Sequence, residues 1–426
     1  MQLTISQQRY IQPVQDALRK YDARLQIINH KIWSNPELGY EEHQAHDHIC
    51  ELFEALHSEG YIVRRHAYGL DTAFEVEYKH GEGGAAGGRI LAFNAEYDAL
   101  PGVGHACGHN LIATSSIAAF IAACEALKAA APSGLSYIVR LLGTPAEESG
   151  GGKIRLLDNG AYKDVNACLM IHPTAMPPGQ PSLLSLAKAP EGGFLANDKV
   201  SVTFTGKPAH AAAAPWEGVN ALDAVVAAYV NISLLRQQIL PTQRVHGVIV
   251  NGGDRPNIIP WSASVDYYIR SPTLATLKPL TERVVKCFEA AAIATGCKVE
   301  FEWGPSYADV KSNEPICESY VSAMRAMGQH VLLTAPPSAG GSASTDMGNV
   351  SYAVPGFHGV FFIPAKGGNH TPQFTEGAGS AEGYQRAIEC AAGMAVTACH
   401  FLEDDDFARQ VAEDFASGES AWVWAR

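Results

Sequence analysis

The chain has 426 residues, 47% hydrophobic and 18% charged, with 31 Lys and Arg against 44 Asp and Glu, a net charge of −13. That length holds two or three domains at ~100–200 residues each, and low charge with many Ala and Gly describes a compact body rather than a disordered chain. No cluster of Lys and Arg is present to neutralise phosphates, so neither nucleic acid nor an anionic membrane is an expected partner.

The first residues, MQLTISQQRYIQPVQ, lack the apolar stretch of a secretory signal. The nine cysteines are scattered without a disulfide framework, so a reducing cytosol is the expected compartment. Two helices are expected over Ser6–Ser34 and Tyr40–Gly60, joined by Asn35-Pro36-Glu37-Leu38-Gly39. A hairpin should follow, from strand Thr72–His80 through the turn Gly81–Gly88 to strand Arg89–Asn94. After the Gly-rich loop Gly102–Asn110, Ile112–Ala131 reads as a buried core helix rather than a membrane span, because Glu125, Lys128 and Thr114–Ser116 interrupt it. Strand Ser136–Gly143, helix Lys153–Asn159 and strand Val165–Ile171 continue an α/β alternation.

The pattern then changes. Strand Lys199–Gly206, helix Asn220–Ile239, strands Arg244–Asn251 and Ser262–Arg270, helix Leu277–Thr295 and strand Lys298–Trp303 give the order β-α-β-β-α-β of a ferredoxin-like module. Strand Gly359–Ile363 and helix Ala381–Leu402 resume the first pattern. The expected architecture is therefore an α/β domain of residues 1–188 and 306–426, interrupted by a smaller domain of residues 189–305.

Metal-type side chains cluster at predicted strand ends. Cys107 and His109 flank a glycine where a strand gives way to a helix, and can both turn toward one metal. The neighbouring Glu96 and Asp98 suit the second layer that ligands attract. In Glu147-Glu148, adjacent residues point opposite ways, so one can bind a metal while the other acts as a general base. His172 ends the third strand, and His370 sits in a tight loop after a fourth. Each is more often structural when met alone. Together, Cys107, His109, Glu148, His172 and His370 fall where open α/β sheets build their sites, and they suit two metals sharing ligands. No Gly-x-Ser-x-Gly elbow is present, Gly150-Gly151-Gly152-Lys153 lacks the phosphate-loop spacing, and Gly102–Cys107 lacks the last glycine of a dinucleotide loop.

Five ordered motifs carry a resemblance: Asn35-Pro36-Glu37-Leu38-Gly39, Asp98-Ala99-Leu100-Pro101, His105-Ala106-Cys107-Gly108-His109, Pro145-Ala146-Glu147-Glu148 and Gly206-Lys207-Pro208-Ala209-His210. Together they resemble the M20 metallopeptidases, most of all their amidohydrolase branch, subfamily D. Asn94-Ala95-Glu96-Tyr97-Asp98 and the run Ser344–Ser351 are similar to the Xaa-Arg dipeptidase group of that family. The resemblance implies a dinuclear-metal catalytic domain interrupted by a lid and dimerisation domain, and a homodimer formed through that lid. It makes Cys107, His109, Glu148, His172 and His370 the metal ligands and Glu147 the base. Cys107 stands where other branches have a bridging Asp, and Glu96 where they have a ligand His. Thiolate and imidazole favour two zinc ions, with manganese left open by the carboxylates. His210 resembles the family histidine that stabilises the oxyanion, often in the partner subunit's site, and Asn257 and Arg270 resemble residues that hold a substrate carboxylate. The activity implied is hydrolysis of a dipeptide or an N-acyl amino acid by a metal-activated water. The alternative is an enzyme of secondary metabolism that forms or transfers an amide on the same fold.

Overall fold

The computed structural model describes residues 3–81, 88–190, 192–335 and 343–418. Its helices are α1 (Ile5–Ser34), α2 (His43–Glu54), α3 (His109–Ala130), α4 (Gly152–Asp158), α5 (Ala221–Leu234), α6 (Leu274–Thr295), α7 (Glu314–Ala326), α8 (Met347–Ala353), α9 (Pro372–Ala378), α10 (Ala381–Glu403) and α11 (Asp405–Ser417). Its strands are β1 (Tyr61–Arg65), β2 (Phe74–His80), β3 (Arg89–Ala95), β4 (Tyr137–Gly143), β5 (Ala167–Ala175), β6 (Ser185–Leu186), β7 (Ala196–Thr205), β8 (Arg244–Asn251), β9 (Ser262–Ser271), β10 (Lys298–Trp303), β11 (Val331–Leu332) and β12 (Gly356–Ile363). The chain divides into two compact units, residues 1–191 with 310–340 and 349–426, and residues 192–309 with 341–348.

The first unit is built on an eight-stranded mixed sheet in the order β1-β2-β4-β3-β5-β12-β6-β11. The expected hairpin of β2 and β3 does not form: β4 lies between them, antiparallel to β2 and parallel to β3. Every residue of β4 is buried, and such a strand needs a neighbour on both edges. Its Arg140 reaches Glu77 on β2 at 2.7 Å. Most of the expected turn, residues 82–87, lies outside the described residues. The expected second helix is shorter, ending at Glu54, and its last residues lead through Gly60, at φ +100°, into the unforeseen edge strand β1. Helix α3 is long and apolar enough to cross a membrane by length and composition, but 94% of its most apolar window is buried inside the unit. It packs against α1, α10 and the middle of the sheet.

The second unit is a four-stranded antiparallel sheet in the order β10-β7-β9-β8 with α5 and α6 against it, a βαββαβ succession. Its core closes around Phe288, which meets Tyr267 edge-on at 5.4 Å.

Candidate active site

Four mutually parallel strands, β3, β4, β5 and β12, end along one edge of the large sheet. Glu96 and Asp98 follow β3, Glu147 and Glu148 follow β4, and His370 follows β12, while β5 runs on past His172 to Ala175. Between Cys107 and His109, Gly108 sits at φ +79°, and a Cβ there would lie 2.6 Å from Pro173 Cγ. Only glycine fits that turn, which brings the thiol and the imidazole to the same place. His370 is drawn in by its own N–H, which donates to Ala106 O at 2.7 Å.

The side chains form two groups. Cys107, His109 and His172 offer ligand atoms within 4.8 Å of one another, and so do Cys107, Glu148 and His370. The Cys107 sulfur belongs to both. It lies 3.4 Å from His172 Nε2, and Glu148 Oε1 lies 3.3 Å from His370 Nε2. A third group joins Glu96, His109 and Glu147.

A second layer sets which ring nitrogen faces inward. His109 Nδ1–H donates to Asp98 Oδ1 at 2.8 Å, and His172 Nδ1–H donates to Pro173 O at 2.8 Å, so both Nε2 atoms are turned to the centre. Asp98 also accepts the Glu148 N–H at 3.0 Å, tying the Glu148 backbone to the His109 ring. Burial, helped by the neighbouring His109, holds the His172 imidazole down at about 4. Burial acts the same way on His109, but the Asp98 and Cys107 charges outweigh it and raise His109 well above the usual range. Burial raises the Cys107 thiol, with the Glu148 charge adding to it.

Glu96 Oε2 and His109 Nε2 are fully buried 3.5 Å apart, and neither has a hydrogen-bond partner among the described residues. Buried polar atoms rarely stay so, and a divalent cation satisfies both. Thiolate, imidazole and carboxylate together fit such an ion.

Three residues at the site were not singled out from the sequence. Lys153 Nζ is paired with Glu96 Oε1, both side chains wholly buried. Asn369 Nδ2 reaches Pro173 O at 3.1 Å and lies 3.9 Å from the Cys107 sulfur. Glu42, from the segment after α1, accepts the Ala146 N–H at 2.8 Å beside the Glu147-Glu148 pair. The lysine after three glycines was a usable signal, weighed only as a phosphate loop; the other two show their partners only in the fold.

The second unit carries the remaining candidates. His210 is exposed, and its Nδ1 accepts the N–H groups of Ala212 and Ala213 at 3.2 Å each, which leaves the ring proton on Nε2. Asn257 adjoins it, its carbonyl accepting the Ala211 N–H at 3.1 Å. Arg270 stands apart. It pairs in register with Asn197 and Arg244, eight residues along β9 from Ser262, or about 26 Å at ~3.3 Å per residue. Its Nε is buried without a hydrogen-bond partner among the described residues, and burial holds its guanidinium below the usual range.

The model of peptidase family M20/M25/M40 matches residues 92–391. A Xaa-Arg dipeptidase of Mus musculus is 46% identical over 88% of this chain and 85% of its own length, and one of Homo sapiens is 42% identical over 92% and 88%. A dinuclear metal-binding M20 peptidase from Bacillus subtilis, 21% identical, shares the fold at a TM-score of 0.65 over 90% of this chain and 99% of its own. With the ordered motifs and the sheet edge that gathers Cys107, His109, Glu148, His172 and His370, these likenesses settle the kinship: the chain belongs to peptidase family M20/M25/M40.

Proposed function

We propose that the protein hydrolyses the amide bond of dipeptides or N-acyl amino acids at a centre for two divalent cations, with Glu147 as general base. One observation carries this reading: two ligand groups, Cys107–His109–His172 and Cys107–Glu148–His370, are joined at one thiol beside a carboxylate that neither group uses. When bound, the cations would supply Lewis acidity and a water of lowered pKa. Glu147, only 6% exposed, accepts the proton of the attacking water and returns it to the leaving amine. His210 presents Nε2–H to the developing oxyanion. Asn257 and Arg270 hold the substrate carboxylate, for which the Arg270 fork, its buried Nε without a hydrogen-bond partner among the described residues, is suited. That His210 and Arg270 lie at opposite ends of the small sheet supports drawing one of them from a second subunit.

The thiolate and imidazoles favour zinc. A homodimer is supported by the edge strand β8, whose Val248, Ile249 and Val250 are all exposed, and by the exposed α5 row of Val226, Tyr229, Val230 and Leu234. Nine free thiols support a reducing cytosol. The names of the mouse and human relatives make dipeptides ending in arginine the first substrates to try, and a net charge of −13 suits cations. The test is a panel of dipeptides and N-acyl amino acids, run with zinc or manganese and scored by amine release. Release from at least one class, abolished in Glu147→Gln, is expected. No release from any member by the metal-loaded protein would overturn the reading.

A further inference from the structure

The segment Asn35–Glu42 supplies neither ligand nor base, yet it is wedged against both loops that carry them. Glu37 O accepts the Ala99 N–H at 2.8 Å, next to Asp98, while the Glu37 carboxylate accepts the N–H groups of Gln44 and Ala45 at 3.0 Å each. Gly39 lies so close to the Glu147 loop that a Cβ would stand 2.9 Å from Ala146 Cβ. Tyr40 OH donates to Gly150 O at 2.8 Å. Glu42 is wholly buried: Oε1 accepts the Ala146 N–H at 2.8 Å, and Oε2 accepts the Thr72 hydroxyl at 2.8 Å.

Ala146 sits at φ +56°, in the left-handed region, directly before Glu147. An alanine leaves that region unless its surroundings hold it there, and residues so held gather at functional sites. We propose that Glu42 is a positioning residue: it clamps Ala146 in the left-handed turn that aims the Glu147 carboxylate at the reacting centre. This rests on Glu147 being the base. Glu148 does not depend on the clamp, because its N–H is held by Asp98 and its carboxylate meets His370. Losing Glu42 therefore turns the base away and leaves the metal ligands in place.

The experiment compares kcat, KM and metal content of Glu42→Ala, Glu42→Gln, Ala146→Gly and Glu42→Ala/Ala146→Gly, with Glu147→Gln alongside. Glu42→Ala should lose about 10²-fold in kcat, the usual cost of misplacing a reacting group by an ångström, with metal content and KM unchanged. Glu42→Gln keeps an acceptor for the Ala146 N–H and should recover most of that loss. Glycine occupies φ +56° freely, so Ala146→Gly in the Glu42→Ala background should restore part of kcat, which a merely structural role for Glu42 would not produce. If Glu42→Ala fails to fold, Thr72→Val loosens the same carboxylate and should lower kcat in its place. Wild-type kcat in Glu42→Ala, metal loss in Glu42→Ala, or no recovery in the double variant would each overturn the clamp. Full turnover in Glu147→Gln would instead remove the base assignment, and the clamp with it.

Discussion

The Glu96–His109 region of the large unit and the His210–Asn257 turn of the small unit hold their polar residues in opposite ways. In the large unit, Glu96, Asp98 and His109 are 0–1% exposed, and each imidazole or carboxylate is fixed by a second partner before any ion arrives. In the small unit, His210 and Asn257 stand in solvent, oriented by backbone contacts alone. The first arrangement suits groups that bind an ion of fixed geometry, where misplacement is costly. The second suits groups that meet a substrate only once it is bound. The contrast teaches which changes should empty the centre and which should slow it while it stays full.

Replacing the shared sulfur tests the first half most severely. Cys107→Ala should lose both ions and bring turnover to background, whereas His370→Ala, outside the Cys107–His109–His172 group, should keep one; metal analysis after dialysis decides it, and equal losses would contradict the shared-thiol geometry. Glu147→Gln should retain both ions and lose roughly 10²–10⁴-fold in kcat, the range of a general base. His210→Ala should retain both ions and lose about 10²–10³-fold, the cost of one oxyanion donor. Mixing inactive His210→Ala with inactive Glu147→Gln should recover activity if the donor crosses a dimer, since mixed dimers hold one intact site. Metal loss in His210→Ala would collapse the distinction between the units. The smallest effect is thermodynamic. The Asp98 charge raises His109, burial raises Cys107 and the bond to Glu148 raises His370, so each favours its protonated form in the metal-free protein, while burial holds His172 down at about 4. Metal loading should then release protons, and apparent affinity should rise with pH. Calorimetry in buffers of different ionisation enthalpy measures this directly.

The gathering of Cys107, His109, Glu148 and His370 was legible because each sits in a short motif that follows a strand and whose turn residues announce it, while His172 was picked out at an expected strand end although β5 runs on to Ala175. The small unit's element order was legible for the same reason, from period-2 strands and the helical spacing of Leu277, Leu280, Val284 and Phe288. Sheet order was not. Nothing in Thr72–His80 and Arg89–Asn94 says that residues 137–143 will come between them, because pairing of two apolar strands is decided by burial across the whole sheet. Glu42 and Asn369 were illegible for a related reason, since their partners Ala146 and Pro173 lie 104 and 196 residues away. The helix α7 (Glu314–Ala326) was passed over although Asn313 caps it and Pro315 marks its first turn, signals that a stricter reading of capping would have caught.

Helix α3 begins at His109 and is buried along nearly its whole length, its alanines allowing α1 and α10 to approach closely. The His109 imidazole at its first residue is thus mounted on a stiff lever. A methyl group too many at Ala122 or Ala123, some 20 Å down the axis at ~1.5 Å per residue, has no side of the helix on which to be absorbed. The rod must tilt or shift, and the ring at its far end moves with it. Sequence drift in this protein is therefore constrained well beyond the residues that touch an ion, and the unremarkable alanines of α3 belong to the effective footprint of the centre.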